Sequence, residues 1–214
     1  MRALAVAALL ALPGTPLAAQ FAVEGFLGSA LSAHTDLTIR QAGFPDIAFN
    51  ARYETRPLDD APYYALRLSH WFGRWGVMVE DLHHKLYLAN TTPTVRRFNV
   101  TYGYNLLGLG PMYRMGEWAL VGATGIVLTN PSNIVRGREV NHEGGILGLG
   151  YYVDGVHVSA GVNRRVHLSG SLFLTADVRL SAGWAEVKVV DGSADVPNLA
   201  LHFLVGAGFG KRRR

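Results

Sequence analysis

Cysteine is absent from all 214 residues. That excludes a fold stapled by disulfides, as small secreted domains are, and it excludes the lipid-bearing cysteine that anchors a lipoprotein. Long apolar runs are missing too. The longest, Ala3 to Leu12, is far shorter than a helix needs to cross a hydrocarbon core of about 30 Å. There is also no basic face. Of the 20 Lys and Arg residues, Arg2 sits at the start and Lys211, Arg212, Arg213 and Arg214 form a terminal tail. Without those five, 15 basic residues face 16 acidic ones, and the near-neutral body excludes a nucleic-acid partner.

The N-terminal segment has three parts: Arg2, the apolar run Ala3 to Leu12, and a Pro13-Gly14-Thr15-Pro16 break leading to Leu17-Ala18-Ala19. This is the layout of a secretory signal peptide, with cleavage predicted between Ala19 and Gln20. The expected organisation is a signal over 1–19, one domain over 20–210 and a basic tail over 211–214.

Beyond residue 20 the apolar residues fall in short runs broken by turn residues, with 25 Gly in the chain. That is an all-β pattern. The clearest strand is Gly170 to Val187, where Leu172, Leu174, Ala176, Val178, Leu180, Ala182 and Trp184 share one face and Asp177 and Arg179 lie on the other. Leu201, Phe203, Val205, Ala207 and Phe209 repeat the alternation in a last strand similar to the assembly signal of outer-membrane barrels. Further strands are predicted at 21–32, 62–72, 75–87, 98–114, 117–129 and 153–164. Alternation alone fits a soluble sandwich as well as a membrane barrel, but export and strand length select the barrel. The expected fold is therefore an all-β, eight-stranded antiparallel transmembrane barrel in a bacterial outer membrane. Short periplasmic turns are expected at Gly73-Arg74, Met115-Gly116 and Arg164–Ser169, with longer external connections at 33–61, 88–97, 130–152 and 188–198. Tyr63, Tyr64, Trp71, Phe72, Trp75, Tyr113, Trp118 and Trp184 are candidates for interfacial girdles. A barrel this narrow is filled by side chains, and Glu24, Arg67, Glu80, Asp177 and Arg179 are expected to pair inside it.

The densest chemistry is Glu80-Asp81-Leu82-His83-His84-Lys85. Glu80, Leu82 and His84 share one face of the strand, and Asp81, His83 and Lys85 the other. Imidazole beside carboxylate can bind a divalent metal or move a proton near neutral pH. Candidate catalytic residues are Glu80, His83 and Lys85, and candidate metal ligands are His83, His84 and His142. Lys85, Arg96 and Arg97 are candidates for holding a lipid phosphate. A plain hydrated strand end facing headgroups fits the same residues. His167-Leu168-Ser169 is similar to the His-x-Ser pair of outer-membrane lipid A deacylases, although it falls in a predicted periplasmic turn.

The sequence resembles the outer-membrane barrels that include lipid A oxidase. The resemblance lies in Pro62-Tyr63-Tyr64-Ala65-Leu66-Arg67-Leu68, in Glu80-Asp81-Leu82-His83-His84-Lys85, similar to a Glu-x-x-His-x-Lys segment, and in Tyr102-Gly103-Tyr104-Asn105-Leu106-Leu107 with Tyr113-Arg114, similar to a His-Gly-x-Asn strand. It implies an eight-stranded barrel and metal-assisted oxidation of lipid A by molecular oxygen. Tyr102 replaces one expected His, and Asn130-Pro131 stands where a Pro-His-Pro-type turn is expected, which weakens the enzymatic implication more than the fold. Three functions follow as expectations: a plugged barrel with a structural, interaction or small-solute role, a lipid A-modifying enzyme, or a periplasmic barrel holding an apolar ligand. The expected partners are outer-membrane lipids, lipopolysaccharide and the outer-membrane assembly machinery.

Overall fold

The computed structural model describes residues 20–140 and 144–210. The predicted signal peptide, the basic tail and His142 lie outside them. Among the described residues every regular element is a strand: β1 (Gln20–Ser32), β2 (Thr35–Gln41), β3 (Ile47–Ala51), β4 (Tyr53–Glu54), β5 (Tyr64–Phe72), β6 (Trp75–Leu88), β7 (Val95–Met115), β8 (Trp118–Thr129), β9 (Ser132–Val135), β10 (Arg138–Glu139), β11 (Tyr152–Ser169), β12 (Leu172–Val189) and β13 (Gly192–Gly210). Eight of them, β1, β5, β6, β7, β8, β11, β12 and β13, each pair antiparallel with two neighbours. Because β13 pairs back with β1, the ring closes and no edge is left along these strands. Both ends of the described chain, Gln20 and Gly210, lie at the end of the ring that carries the short turns.

The predicted connections are more structured than expected. The 33–61 segment holds β2, β3 and β4, with β2 paired to Gly192–Asp195 of β13 and β4 to the end of β6. In the 130–152 connection, β9 pairs with the start of β7. The 188–198 segment is strand apart from the tight turn at Val190 and Asp191, where Asp191 takes φ 57°. Arg164–Ser169 is not a turn: β11 runs through it, because Arg165 keeps the inward phase while Val166 and Leu168 face out, and Gly170 makes the turn.

Side-chain phase is constant around the ring. Chemistry is not. Along β12, Leu172, Leu174, Val178, Leu180 and Trp184 face outward and are exposed, while Thr175, Asp177, Arg179 and Ser181 face inward and are buried. Past Trp184 the same two faces exchange character: Ala185, Val187 and Val189 are buried inside, and Glu186 and Lys188 are exposed outside. β13 does likewise, with Ala194 and Val196 inside at the long-connection end and Phe203, Val205 and Phe209 outside toward the other. The larger apolar core, including Leu37, Ile39, Phe98, Val187 and Val196, therefore sits at the long-connection end. A small cluster of Trp71, Met78, Met112, Ala119 and Val121 closes the opposite end.

The exposed aliphatic belt continues through Leu66, Leu68, Val77, Val79, Leu109, Leu120, Val156, Val158 and Val162. Phe21, Phe72, Trp75, Trp118 and Phe209 rim it at the short-turn end, where Trp75 and Tyr113 rings lie 4.8 Å apart. Two residues expected in such a rim are not there. Tyr63 and Trp71 share the inward phase of Ala65, Arg67 and Ser69, so both are buried in the lumen.

Candidate functional site

The middle of the lumen is filled by three guanidiniums and three carboxylates supplied by strands far apart in sequence. Arg67 of β5 donates to Glu80 Oε2 at 2.7 Å and to Asp177 Oδ2 at 2.6 Å. Arg179 donates to Asp177 Oδ1 at 2.8 Å and to both oxygens of Glu80. Arg165 forks onto Glu24, which also accepts from Thr175 at 2.9 Å. All six side chains are almost wholly enclosed. Their charges sum to zero, which is the condition under which so many ions tolerate burial together. The pairing expected among Glu24, Arg67, Glu80, Asp177 and Arg179 is present, with Arg165 as an unforeseen sixth member.

Above this layer runs a chain of neutral groups. Ser181 Oγ meets His202 Nε2 at 2.6 Å, and His202 Nδ1 meets the Tyr63 hydroxyl at 2.5 Å. Tyr63 also approaches His84 Nδ1 at 3.4 Å, His84 Nε2 pairs with Asn198 Oδ1 at 3.1 Å, and Asn198 donates to Ser32 at 3.2 Å. The partners come from five different strands and the segment before β5, so the chain ties the wall together across its width. His157 lies nearby, its ring so close to Gly108 that a Cβ there would sit 2.9 Å from it.

The residues proposed from sequence as one catalytic group are divided by strand geometry. Glu80 points inward and is consumed by Arg67 and Arg179. His83 and Lys85 point outward. Lys85 is buried there because the segment between β4 and β5 folds over the outer wall, and its ammonium donates to the carbonyls of Arg56 at 2.9 Å, Ala61 at 2.7 Å and Asp59. A cation held this way is a clamp for that segment and is not available to a lipid phosphate. Of its proposed companions, Arg97 pairs with Glu139 and Arg96 is exposed. His83 and His84 face opposite sides of β6, so they do not converge on a metal. Among the described residues no group of three His, Asp or Glu side chains does.

His83 nevertheless sits in a built niche on the outer wall. Its ring stacks on Tyr64 with centroids 4.9 Å apart and planes 10° apart. Its Nδ1 lies 2.7 Å from Asn105 Oδ1, so Nδ1 carries the proton and Nε2 presents a lone pair, buried and without a protein partner. The niche depends on a bulge: residues 101–103 of β7 are inserted opposite Lys85, between the His84–Tyr104 and Leu86–Val100 pairs. Gly103 takes φ 135° there, and a Cβ on it would overlap the Asn105 carboxamide. Tyr151 donates from across the rim to the Tyr102 carbonyl at 2.7 Å. Asn105 and Tyr64 were absent from the proposed site. The two-residue offset of Gly103 and Asn105 in a glycine-interrupted strand was the available signal. His167 lies inward beside Phe173, 5.3 Å between rings, at the short-turn end and away from this niche.

No family model matches the chain, and no curated protein matches it. Solved structures do. Ail, the attachment invasion locus protein of Yersinia pestis, is 13% identical with a TM-score of 0.41, over 90% of this chain and 97% of that one. Neisserial surface protein A is 9% identical at 0.36, over 91% and 97%. The outer membrane protease OmpT of Escherichia coli is 12% identical at 0.41, over 94% and 99%. These are all-antiparallel neighbours in name and in outline, and likenesses this distant decide nothing about role.

Proposed function

We propose that the chain is a bacterial outer-membrane β-barrel with a plugged lumen, serving a structural or interaction role through its outer wall and rim. The observation that carries this reading is the inversion within single strands: aliphatic outside and ionic inside over the belt, then polar outside and aliphatic inside beyond Trp184. From Leu172 to Trp184 a strand rises about 40 Å, which at a tilt of about 40° gives roughly 30 Å of height, a hydrocarbon thickness. The closed ring satisfies its backbone within itself, as hydrocarbon demands. On this reading residues 1–19 are a cleaved signal, the short turns face the periplasm, and lipopolysaccharide surrounds the long-connection end. The ionic layer supports a closed barrel over a porin. A soluble barrel holding an apolar ligand is disfavoured by the same layout, which puts charge inside and aliphatic side chains outside.

Fractionation of a Gram-negative host expressing the full chain tests the proposal. The expected result is an outer-membrane protein that resists carbonate extraction, begins at Gln20, and gives no steady conductance in a planar bilayer. Release by carbonate or salt would overturn it.

A second reading, modification of lipid A at the outer leaflet, is favoured by one observation: the His83 Nε2 lone pair, oriented through Asn105, on the lipid side of the wall. Mass spectrometry of lipid A from cells carrying the wild type or His83→Ala, grown aerobically with metal supplied, decides it. Identical profiles would remove this reading and leave the first intact.

A further inference from the structure

The short-turn end of the ring is hollow. A cavity of about 520 Å³ opens there, bounded by Trp71, Arg74, Arg114, Asn163, Arg165 and Phe173. That volume lies in the range of pockets that hold small ligands. It is a different site from the His83 niche, at the other end of the barrel.

Its charge is one-sided. Arg165 is balanced by Glu24 behind it, and Glu117 on the rim pairs with Arg164 at 3.3 Å. Arg74 and Arg114 are the surplus, a charge of two with no carboxylate left on the lining to offset it. Arg114 is held flat over the Trp71 ring at 4.2 Å, and Arg165 stands 5.1 Å from the same ring, so the indole fixes the guanidiniums in place before any ligand arrives.

Two buried polar atoms of the lining have no protein partner. One is a donor, the indole N–H of Trp71, on a side chain only 2% exposed. The other is an acceptor, Oδ1 of Asn163, which is fully buried. The orientation of that amide is set by its other end, which donates to Thr175 Oγ1 at 2.8 Å and to the Ala176 carbonyl at 3.2 Å. Buried groups without partners are uncommon in folded proteins, and here a donor and an acceptor face one cavity. The lining thus asks for an oxyanion of up to two charges that also carries a hydroxyl or ammonium donor, with Phe21, Phe173 and Met115 covering its carbon atoms.

We infer that this mouth binds a phosphate ester bearing a hydroxyl or ammonium group, held by Arg74, Arg114 and Trp71 with Asn163 accepting from the donor. The same chemistry occurs in a soluble glycerol phosphate and in a phospholipid headgroup of the leaflet that meets this rim. Binding of the soluble ester needs only the folded ring, so it is independent of the proposed membrane location.

The test is tryptophan fluorescence of the full chain, folded in maltoside micelles at low salt. It is titrated with sn-glycerol 3-phosphate, inorganic phosphate, or short-chain phosphatidylglycerol. Saturable quenching by glycerol 3-phosphate, weakened at least tenfold in Arg74→Gln/Arg114→Gln and lost in Trp71→Phe, supports the site with a soluble ligand. Saturation by the lipid alone, with the same loss in the arginine variant, supports it with the leaflet as source. No saturation by either ester overturns it, as does unchanged affinity in the arginine variant. Equal affinity for inorganic phosphate overturns the role of Asn163. An unboiled gel shift matching the wild type shows that the variant has folded.

Discussion

The belt and the long-connection end are made from the same strands, yet they are stabilised by opposite means. In the belt the inside is ionic and hydrogen-bonded, as with Arg67, Glu80, Asp177 and Arg179, and the outside is aliphatic. At the other end Leu37, Ile39, Val187 and Val196 form an apolar interior beneath polar residues such as Asp36, Arg40 and Glu186. One end is arranged as a soluble β-protein and the other as its inverse. The difference follows from surroundings: aliphatic burial is driven by water, and where hydrocarbon lies outside, the polar groups must find their partners within.

Breaking the ionic layer has the largest expected effect. Asp177→Ala leaves Arg67 and Arg179 with only Glu80 and Glu24 between them, and should cost about 3–5 kcal/mol in urea unfolding from lipid vesicles. Removing charge in balance, as in Asp177→Asn with Arg179→Met, should cost markedly less; equal costs would mean that the layer is held by packing and not by charge. Next is the water-facing core. Ile39→Ala should cost about 2–5 kcal/mol, the usual cost of truncating a buried aliphatic side chain. Leu180→Ala on the exposed belt face, by contrast, should fall within about 1 kcal/mol, since it leaves no cavity. If the two were equal, the distinction between the ends would fail.

The niche lies where the two regimes meet. Gly103→Ala should cost about 1–3 kcal/mol through its φ of 135° and should displace Asn105, releasing the His83 ring. The imidazole nitrogen signals of His83 report this directly, and an unchanged Nδ1–H signal would contradict the assigned pairing. The smallest effect is a pH response confined to the outer hairpin. Asp195 accepts a hydrogen bond from Arg40 at 2.6 Å, which holds its carboxyl below the ordinary range. A lowered carboxylate pKa contributes stability above about pH 4 and loses it as pH falls through the folded value. Mild acid should therefore loosen β2 and β3 while the belt stays intact, and Arg40→Ala should raise the pH at which this happens.

How much of this was legible in the sequence differs between the two ends. In the belt, period-two alternation specified phase and partner chemistry, so Leu172 to Trp184 and the Glu24, Arg67, Glu80, Asp177 and Arg179 set were readable in advance. At the long-connection end both faces of β6 are covered from His83 to Leu88, and alternation carries no signal when everything is buried. The clamp on Lys85 depends on three backbone carbonyls, which no residue pattern announces. Glu80, His83 and Lys85 looked like one site because they are neighbours in sequence, but a strand sends Glu80 to one face and His83 and Lys85 to the other. Arg165 escaped the ionic set because the strand that carries it was ended one residue too soon.

The most direct test of the inversion is an arginine scan down the outward face of β12, at Leu174, Val178, Leu180, Glu186 and Lys188, with unfolding measured in lipid vesicles. A membrane belt ending near Trp184 predicts a cost of about 2–4 kcal/mol at Val178, less at Leu174, and close to zero at Glu186 and Lys188. A flat profile near zero at every position, as expected for a surface in water, would contradict it.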